Sequence, residues 1–295
     1  MELRRLRYFL AVAGDLHFTR AAERLGIAQA SLSEQIRKLE DEVGAPLLTR
    51  SSRHVALTPA GRVLQIHAQR VLDHLEHALR STRLVASGLL GEIRLGAVGS
   101  AMTTLVPALL RDLRQHSPQL TVRIQQLSTT AQLLALTEYR IDVGLLRAPV
   151  VHPVIRTAEV MREPLTVVLP AGHPMAERQR LTLADLTGET LILWPRAESP
   201  GAYDETLELF REAGLGPPQT IEAPDTTSEV ALIAAGLGVA LQPASFTALG
   251  STAVTVVQLR RPAPTTAVDI AWLPPVEDAA LRQVLSTARL LTPTR

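Results

Sequence analysis

Cysteine is absent from the 295 residues. That excludes disulfides, thiol catalysis, cysteine metal sites and thiol-based peroxide sensing. Lysine is almost absent as well: Lys38 is the only one, and arginine carries the rest of the positive charge. No apolar run is long enough to span a bilayer. The run Tyr8-Phe9-Leu10-Ala11-Val12-Ala13 is too short for a signal peptide, and Leu3, Leu6, Phe9, Leu10 and Ala13 fall at the spacing of an amphipathic helix. A cytoplasmic location is therefore expected, with no membrane partner. Catalytic groupings are missing too. There is no Ser/His/acid, metal or phosphate-loop constellation; Gly96 and Gly99 do not make a dinucleotide fingerprint, and Asp185 and Glu189 stand unpaired in sequence. No enzyme, cofactor or metal is expected.

The net charge of +1 is unevenly spread. Residues 1–62 hold ten Lys or Arg against seven Asp or Glu, a net of +3, whereas residues 91–295 hold seventeen against twenty, a net of −3. The basic end suits a module that faces phosphates.

That end contains two helices joined by a tight turn, Phe18 to Glu40. Thr19 is a candidate N-cap for the first, and Gly26 ends it, since glycine accepts the left-handed conformation needed past a C-terminus. The second begins near Gln29. Leu32, Ile36, Leu39 and Val43 make one buried stripe. Gln29, Ser33 and Arg37 form a polar face, with Ala30, Glu34 and Lys38 beside them. This pattern fits a helix-turn-helix whose second helix enters a DNA major groove, and equally any short helical hairpin.

The stretch resembles the DNA-binding segment of LysR-type transcriptional regulators at many positions with matched spacing. The matches are Phe18-Thr19-Arg20-Ala21-Ala22, Gln29 to Ile36, Leu39 to Gly44, Leu47 to Arg50 and Leu57 to Gly61. The resemblance implies double-stranded operator DNA as a partner, with Thr19, Gln29, Ala30, Ser31, Ser33, Glu34, Arg37 and Lys38 toward it. Leu47–Arg50 and His54–Leu57 read as two short strands around Ser51-Ser52-Arg53, similar to a wing that sets Arg50 and Arg53 near the backbone or minor groove. Glu34 departs from the family, which usually has Arg or Lys there; a carboxylate could accept from a cytosine amino group.

Thr58-Pro59 signals the start of a long helix. Along it Leu64, Ala68, Val71, Leu75, Ala78, Thr82, Val85 and Leu89 alternate at spacings of four and three, a heptad seam that needs a partner. The partner expected is the same helix of a second subunit. His67, His74 and His77 on this helix read as a solvated face rather than a metal site.

From Glu92 onward apolar strands alternate with helices, predicting two α/β lobes with mostly parallel sheets. The expected strands are Ile93–Val98, Thr121–Leu127, Asp142–Leu146, Thr166–Leu169, Leu191–Leu193, Thr220–Ala223, Val239–Gln242, Val254–Leu259 and Val268–Trp272. The expected helices are Thr104–Gln115, Ala131–Glu138, Asp204–Ala213, Thr226–Ala235 and Asp278–Leu291. The family resemblance implies a two-lobed effector domain similar to periplasmic binding proteins. The whole is then α/β with an N-terminal all-α winged helix-turn-helix, residues 1–58, and a long linker helix, 59–90. The effector domain is 91–295, with lobe 1 at 91–163 and 267–295 and lobe 2 at 164–266. A dimer of dimers and contact with RNA polymerase are implied as well.

Ligands of such sheets bind beyond the carboxyl ends of strands, where helix N-termini point. Two hydroxyl-bearing turns belong there, Gly99-Ser100-Ala101 and Ser128-Thr129-Thr130, each leading into a helix with free backbone N–H groups. They suit an anion, most simply a carboxylate; Ser100 and Thr129 could equally be helix caps. The effector half resembles the family branch that responds to aromatic-catabolism intermediates, through Val98 to Ala101, Thr129-x-Ala131-Gln132, Arg140 to Gly144 and Ala234 to Gly238. The resemblance implies effector contacts at Gly99, Ser100, Ala101, Met102, Thr129 and Arg147, with Pro200, Gly201 and Ala202 closing the other lobe over a small organic acid. Ala202 lacks the aromatic side chain common in that branch. The expected function is a ligand-responsive transcriptional regulator; the alternatives are a family member with a non-carboxylate effector or none, or a solute-binding protein built on the same two lobes.

Overall fold

The computed structural model describes residues 2–50, 55–86, 91–276 and 278–291. The chain divides into two compact units, Met1–Thr82 and Arg83–Arg295.

The first unit is a helical head. Helices α1 (Leu3–Asp15), α2 (Phe18–Leu25) and α3 (Gln29–Val43) enclose Leu6, Phe9, Val12, Ala21, Ala22, Leu32, Ile36 and Leu39. Strands β1 (Leu48–Arg50) and β2 (Val55–Leu57) pair antiparallel, and α4 (Pro59–Ala86) follows. Gly26 ends α2 at φ 66°, the left-handed value that favours glycine. The cap of α2 is His17, not Thr19: the His17 ring nitrogen accepts from Arg20 N–H at 3.3 Å, and Thr19 stands one residue inside the helix. Val43 is not part of the buried stripe; it is 42% exposed at the end of α3. Glu40 holds the turn into β1, its Oε1 accepting from the N–H groups of Leu47 and Leu48. Thr58 caps α4 by accepting from Gly61 N–H at 2.9 Å. On α4 the seam divides. Leu64 and Ala68 pack into the head's own core, so their partner is this chain. Val71 stands half exposed, and Ala78 and Thr82 are exposed. The Val85 side chain and Leu89 lie outside the described residues.

The second unit is built on one eight-stranded sheet. In chain order it runs β3 (Gly91–Ala97), α5 (Gly99–Thr103), α6 (Leu105–His116), β4 (Leu120–Gln126), α7 (Thr129–Thr137), β5 (Val143–Arg147), β6 (Arg156–Pro170) and β7 (Arg180–Leu181). Then follow β8 (Thr190–Leu193), α8 (Pro200–Glu212), β9 (Gln219–Glu222), α9 (Thr226–Ala234), β10 (Ala240–Pro243), β11 (Val254–Leu259), β12 (Thr265–Trp272) and α10 (Ala279–Leu290). The sheet order is β4-β3-β5-β12-β6-β11-β7, with β10 also on β6. A separate parallel pair is β8 with β9.

The sheet is mixed rather than mostly parallel. Parallel pairs, β3 with β4 and β5 and β7 with β11, lie toward its ends. The middle is antiparallel: β12 lies against β5 and β6, and β6 against β10 and β11. The reason is the path of the chain. It crosses from one lobe to the other in β6 and returns in β12, and strands that run out and back side by side must be antiparallel. The partner of β6 changes at Leu165: Arg156 to Pro164 pair with β12, Leu165 to Pro170 with β10 and β11. Separate apolar cores lie on either side. One gathers Leu95, Leu109, Leu145, Ile270 and Val284; the other gathers Val167, Leu169, Leu193, Phe210 and Leu241. Arg94 on β3 and Asp142 before β5 bind at 2.6 Å, which explains the acid in the Arg140-Ile141-Asp142 run.

Candidate functional site

Two surfaces carry the side chains expected to function, one in each unit. On the head, α3 buries Leu32, Ile36 and Leu39. At about 100° per residue, the side opposite that stripe is Ala30, Glu34, Arg37 and Lys38. All four are exposed. Gln29 and Ser33 lie on one flank, with Ser33 half-buried, and Ser31 lies on the other; Thr19 is exposed at the start of α2. Glu34 and Lys38 form an ion pair at 2.7 Å, one turn apart. Lys38 holds the Glu34 carboxyl below the usual carboxylate range. The only lysine therefore meets an acid on its own helix. The Arg50 backbone pairs with Val55, while its side chain and Arg53 lie outside the described residues.

In the second unit a cavity of about 270 Å³ opens between the lobes. The carboxyl ends of β3, β4, β8 and β10 and the first turns of α5, α7, α8 and α9 line it. Of the residues expected there, Gly99, Ser100, Thr129, Arg147 and Ala202 face the cavity. The other four do not. Ala101 is fully buried in the core, and Met102 packs against that core. Pro200 opens α8 outside the cavity, and Gly201 touches the opposite lobe: a Cβ there would sit 2.2 Å from the Pro149 carbonyl oxygen. Gly201 is thus a lobe-to-lobe contact.

Neither hydroxyl caps its helix. Ser128 caps α7, accepting from Ala131 N–H at 3.3 Å, and Ser100 is the second residue of α5. The two hydroxyls meet Arg147 instead. Its guanidinium donates to Ser100 Oγ and to Thr266 Oγ1 at 3.3 Å, and its backbone N–H donates to Thr129 Oγ1 at 3.2 Å. Ser199 adds a fourth hydroxyl, donating to Thr129 Oγ1 at 3.4 Å across the lobes. No carboxylate lies within ion-pair distance of Arg147 among the described residues. Burial pulls its guanidinium down to about 10, against the more distant Glu163 and Glu205. It stays charged near neutral pH and has no anionic partner in contact. The expected supply of free N–H groups is smaller than foreseen: Thr130 N–H is taken by the Glu198 carbonyl at 2.9 Å, and Ala131 N–H by Ser128.

The far wall is apolar, made by Leu165, Leu209, Leu241 and Phe246, with Trp194 and Tyr203 nearby. Ala202 itself brings only a methyl group to the cavity; the aromatic side chains in its lining are Trp194, Tyr203 and Phe246. Sequence reasoning missed these residues and Ser199. Trp194 follows the carboxyl end of β8, and Tyr203 and Thr206 lie in the first two turns of α8, which begins at Pro200. Placing that helix correctly would have found them. Among the described residues no group of three His, Asp or Glu is arranged to hold a metal ion.

Residues 3–62 match the family described as "Bacterial regulatory helix-turn-helix protein, lysR family", and residues 86–290 match "LysR substrate binding domain". The chain belongs to the LysR family. This LysR-type protein is a DNA-binding transcriptional regulator with an effector-binding domain, not an enzyme. It is 40% identical to the probable cat1 operon transcriptional activator of Acinetobacter lwoffii, over 83% of this chain and 81% of that one. It is 36% identical to the regulator BenM of Acinetobacter baylyi, over 92% of this chain and 90% of that one. Full-length CbnR in complex with its target DNA superposes with a TM-score of 0.82 at 28% identity, over 99% of this chain and 100% of that one. No helix among the described residues of the LysR-type protein is long and apolar enough to cross a membrane.

Proposed function

We propose that this LysR-type regulator is controlled by a small organic anion, most simply a carboxylate, held between the two lobes. One observation carries the reading: the half-buried Arg147 guanidinium faces the cavity with the Ser100 and Thr129 hydroxyls beside it and no carboxylate in contact. A partly desolvated cation without a counter-ion is costly, and an anion in the cleft relieves that cost. The apolar far wall suits a ligand with a hydrocarbon or aromatic body. The domain division proposed is a DNA-binding head at 1–58, a dimerising linker helix at 59–90 and the effector domain at 91–295, acting in the cytoplasm as a dimer of dimers that engages RNA polymerase. On DNA, the exposed side of α3 enters the major groove, and Arg50 and Arg53 serve the wing. An anion that binds one arrangement of the lobes better than another shifts the heads with a coupling of about 1–3 kcal/mol.

The test is a melting series of the full chain with acetate, benzoate and cis,cis-muconate, beside operator titrations. At about one hundred times its Kd, a true effector stabilises the protein by roughly 2.7 kcal/mol. The double variant Ser100→Ala, Thr129→Ala should lose that stabilisation and the effector response while keeping effector-free operator affinity. A full response in the double variant would sink the site, and loss of effector-free DNA binding would make the two hydroxyls structural.

A further inference from the structure

Gln242, on β10, lines the cleft. Behind it lies Glu229 of α9, 1% exposed and the only acidic residue buried as a whole among the described residues; the enclosed Asp142 carboxyl, unlike it, is held by Arg94. Gln242 Nε2 donates to Glu229 Oε1 at 2.5 Å, and Glu229 Oε2 has no hydrogen-bond partner. Thr166 Oγ1 donates to the Gln242 backbone carbonyl at 2.9 Å and fixes the strand beneath the pair. The elements packed on α9 are β6, β8 and β11, with β10 joined to it through the Gln242 side chain. Strands β8, β10 and β11 carry no ionisable group. Strand β6 carries Arg156, Glu159, Arg162 and Glu163, none of which acts on the Glu229 carboxyl. Burial alone pushes that carboxyl up, to about 7, with the Gln242 amide opposing.

An ionised carboxylate in this position leaves one buried oxygen unpaired, which is unfavourable. While it is ionised, it accepts from Gln242, commits the amide nitrogen inward and leaves the amide oxygen as the group available to the cleft. Once protonated, Glu229 carries an O–H that can donate to the amide oxygen, and a half-turn of the terminal torsion releases the NH₂ group.

Resting on the cleft reading above, we propose that Glu229 and Gln242 form a proton-linked selector in the cavity wall, in which uptake of one proton by Glu229 turns Gln242 from an acceptor into a donor for a bound anion's second acceptor group. Arg147 holds the first carboxylate, and Gln242 meets a second carboxylate, carbonyl or hydroxyl. Such a ligand binds together with a proton. The favoured class is a dicarboxylate, or a monocarboxylate with an oxygen function at its far end.

The probe is cis,cis-muconate, titrated calorimetrically into the full chain between pH 6 and pH 9, in buffers of different ionisation enthalpy, with benzoate in parallel. A single linked proton makes the muconate Kd rise by about tenfold per pH unit above pH 7, with uptake approaching one proton per ligand. Glu229→Gln, which has no titratable proton and can either donate to the Gln242 oxygen or accept from its nitrogen, should bind muconate with a flat pH profile and no linked proton. Gln242→Leu should also be flat, and weaker for muconate than for benzoate. The same pH slope in wild type and both variants overturns the selector. Binding of benzoate without binding of muconate at any pH also overturns it, and leaves the cleft reading standing. Binding of neither anion at any pH overturns both.

Discussion

Replacing Gly201 with alanine tests whether the closed lobes form the liganded state. The added Cβ would lie 2.2 Å from the Pro149 carbonyl oxygen, where an ordinary contact is about 3.4 Å, and the obstacle is backbone. Something must therefore yield by about 1 Å. Gly201 belongs to the rigid start of α8, and Pro149 lies two residues beyond Arg147, at the end of β5. The least costly response is for the lobes to part at this contact, which draws Ser199 from Thr129 and the Thr130 hydroxyl from the Ala197 carbonyl, now at 2.8 Å. Overpacking of this kind typically costs about 1–3 kcal/mol. Because open lobes escape the clash, the penalty falls on the closed state, and benzoate Kd should rise roughly 5- to 150-fold. Calorimetric titration of the full chain measures it, and the melting temperature without ligand should stay within a few degrees of wild type. A wild-type Kd in Gly201→Ala would refute the assignment of this contact to the liganded state. A large loss of melting temperature with unchanged Kd would show instead that lobe 2 absorbs the strain internally.

Two further outcomes are expected. The Glu229 carboxyl is raised in the folded protein, so the stability that its burial provides relative to Glu229→Gln is complete below about pH 4.5 and is lost as pH rises through about 7; denaturant unfolding at pH 5 and pH 8 should differ by roughly 3 kcal/mol more in wild type than in the variant. Equal differences in the two proteins would mean that the carboxyl is not buried as described. On the head, Gln29→Ala should flatten discrimination among operator variants by about 1–3 kcal/mol in gel-shift titrations, and an intact operator preference would remove Gln29 from the reading face.

The head was legible because its motif residues act locally. Gly26 turns the chain, Glu40 binds two N–H groups seven and eight residues on, and Thr58 caps the helix it precedes. Even there a neighbour was mistaken, since the His17 ring can accept as a hydroxyl does. The effector domain was less legible where one segment serves two environments. The first half of β6 interleaves Glu159, Arg162 and Glu163 with apolar residues and includes Pro164, so only its fully buried end, Leu165 to Leu169, reads as a strand. Pro200-Gly201 reads as a turn, yet proline is at home in the first turn of a helix, and the helix begins four residues earlier than expected. The Glu229 and Gln242 pair left no periodic signal. Two polar residues thirteen apart meet only because α9 returns onto β10, a fact of the tertiary fold.

The place of β12 has a consequence for how the chain is made. Lobe 1 is not contiguous: β12 fills the gap between β5 and β6, and α10 completes the core around Leu109 and Leu145. Residues 165–264, by contrast, can close their own core as they emerge. A ribosome adding about 5–20 residues per second needs on the order of ten seconds to go from Arg147 to Trp272. For that interval β5 presents an unpaired backbone edge beside a finished second lobe, and the core around Val143 and Leu145 still lacks β12 and α10. The nascent regulator is most exposed to misassembly late in its synthesis, and a message truncated just before Thr265 yields a chain with a folded lobe and an open edge.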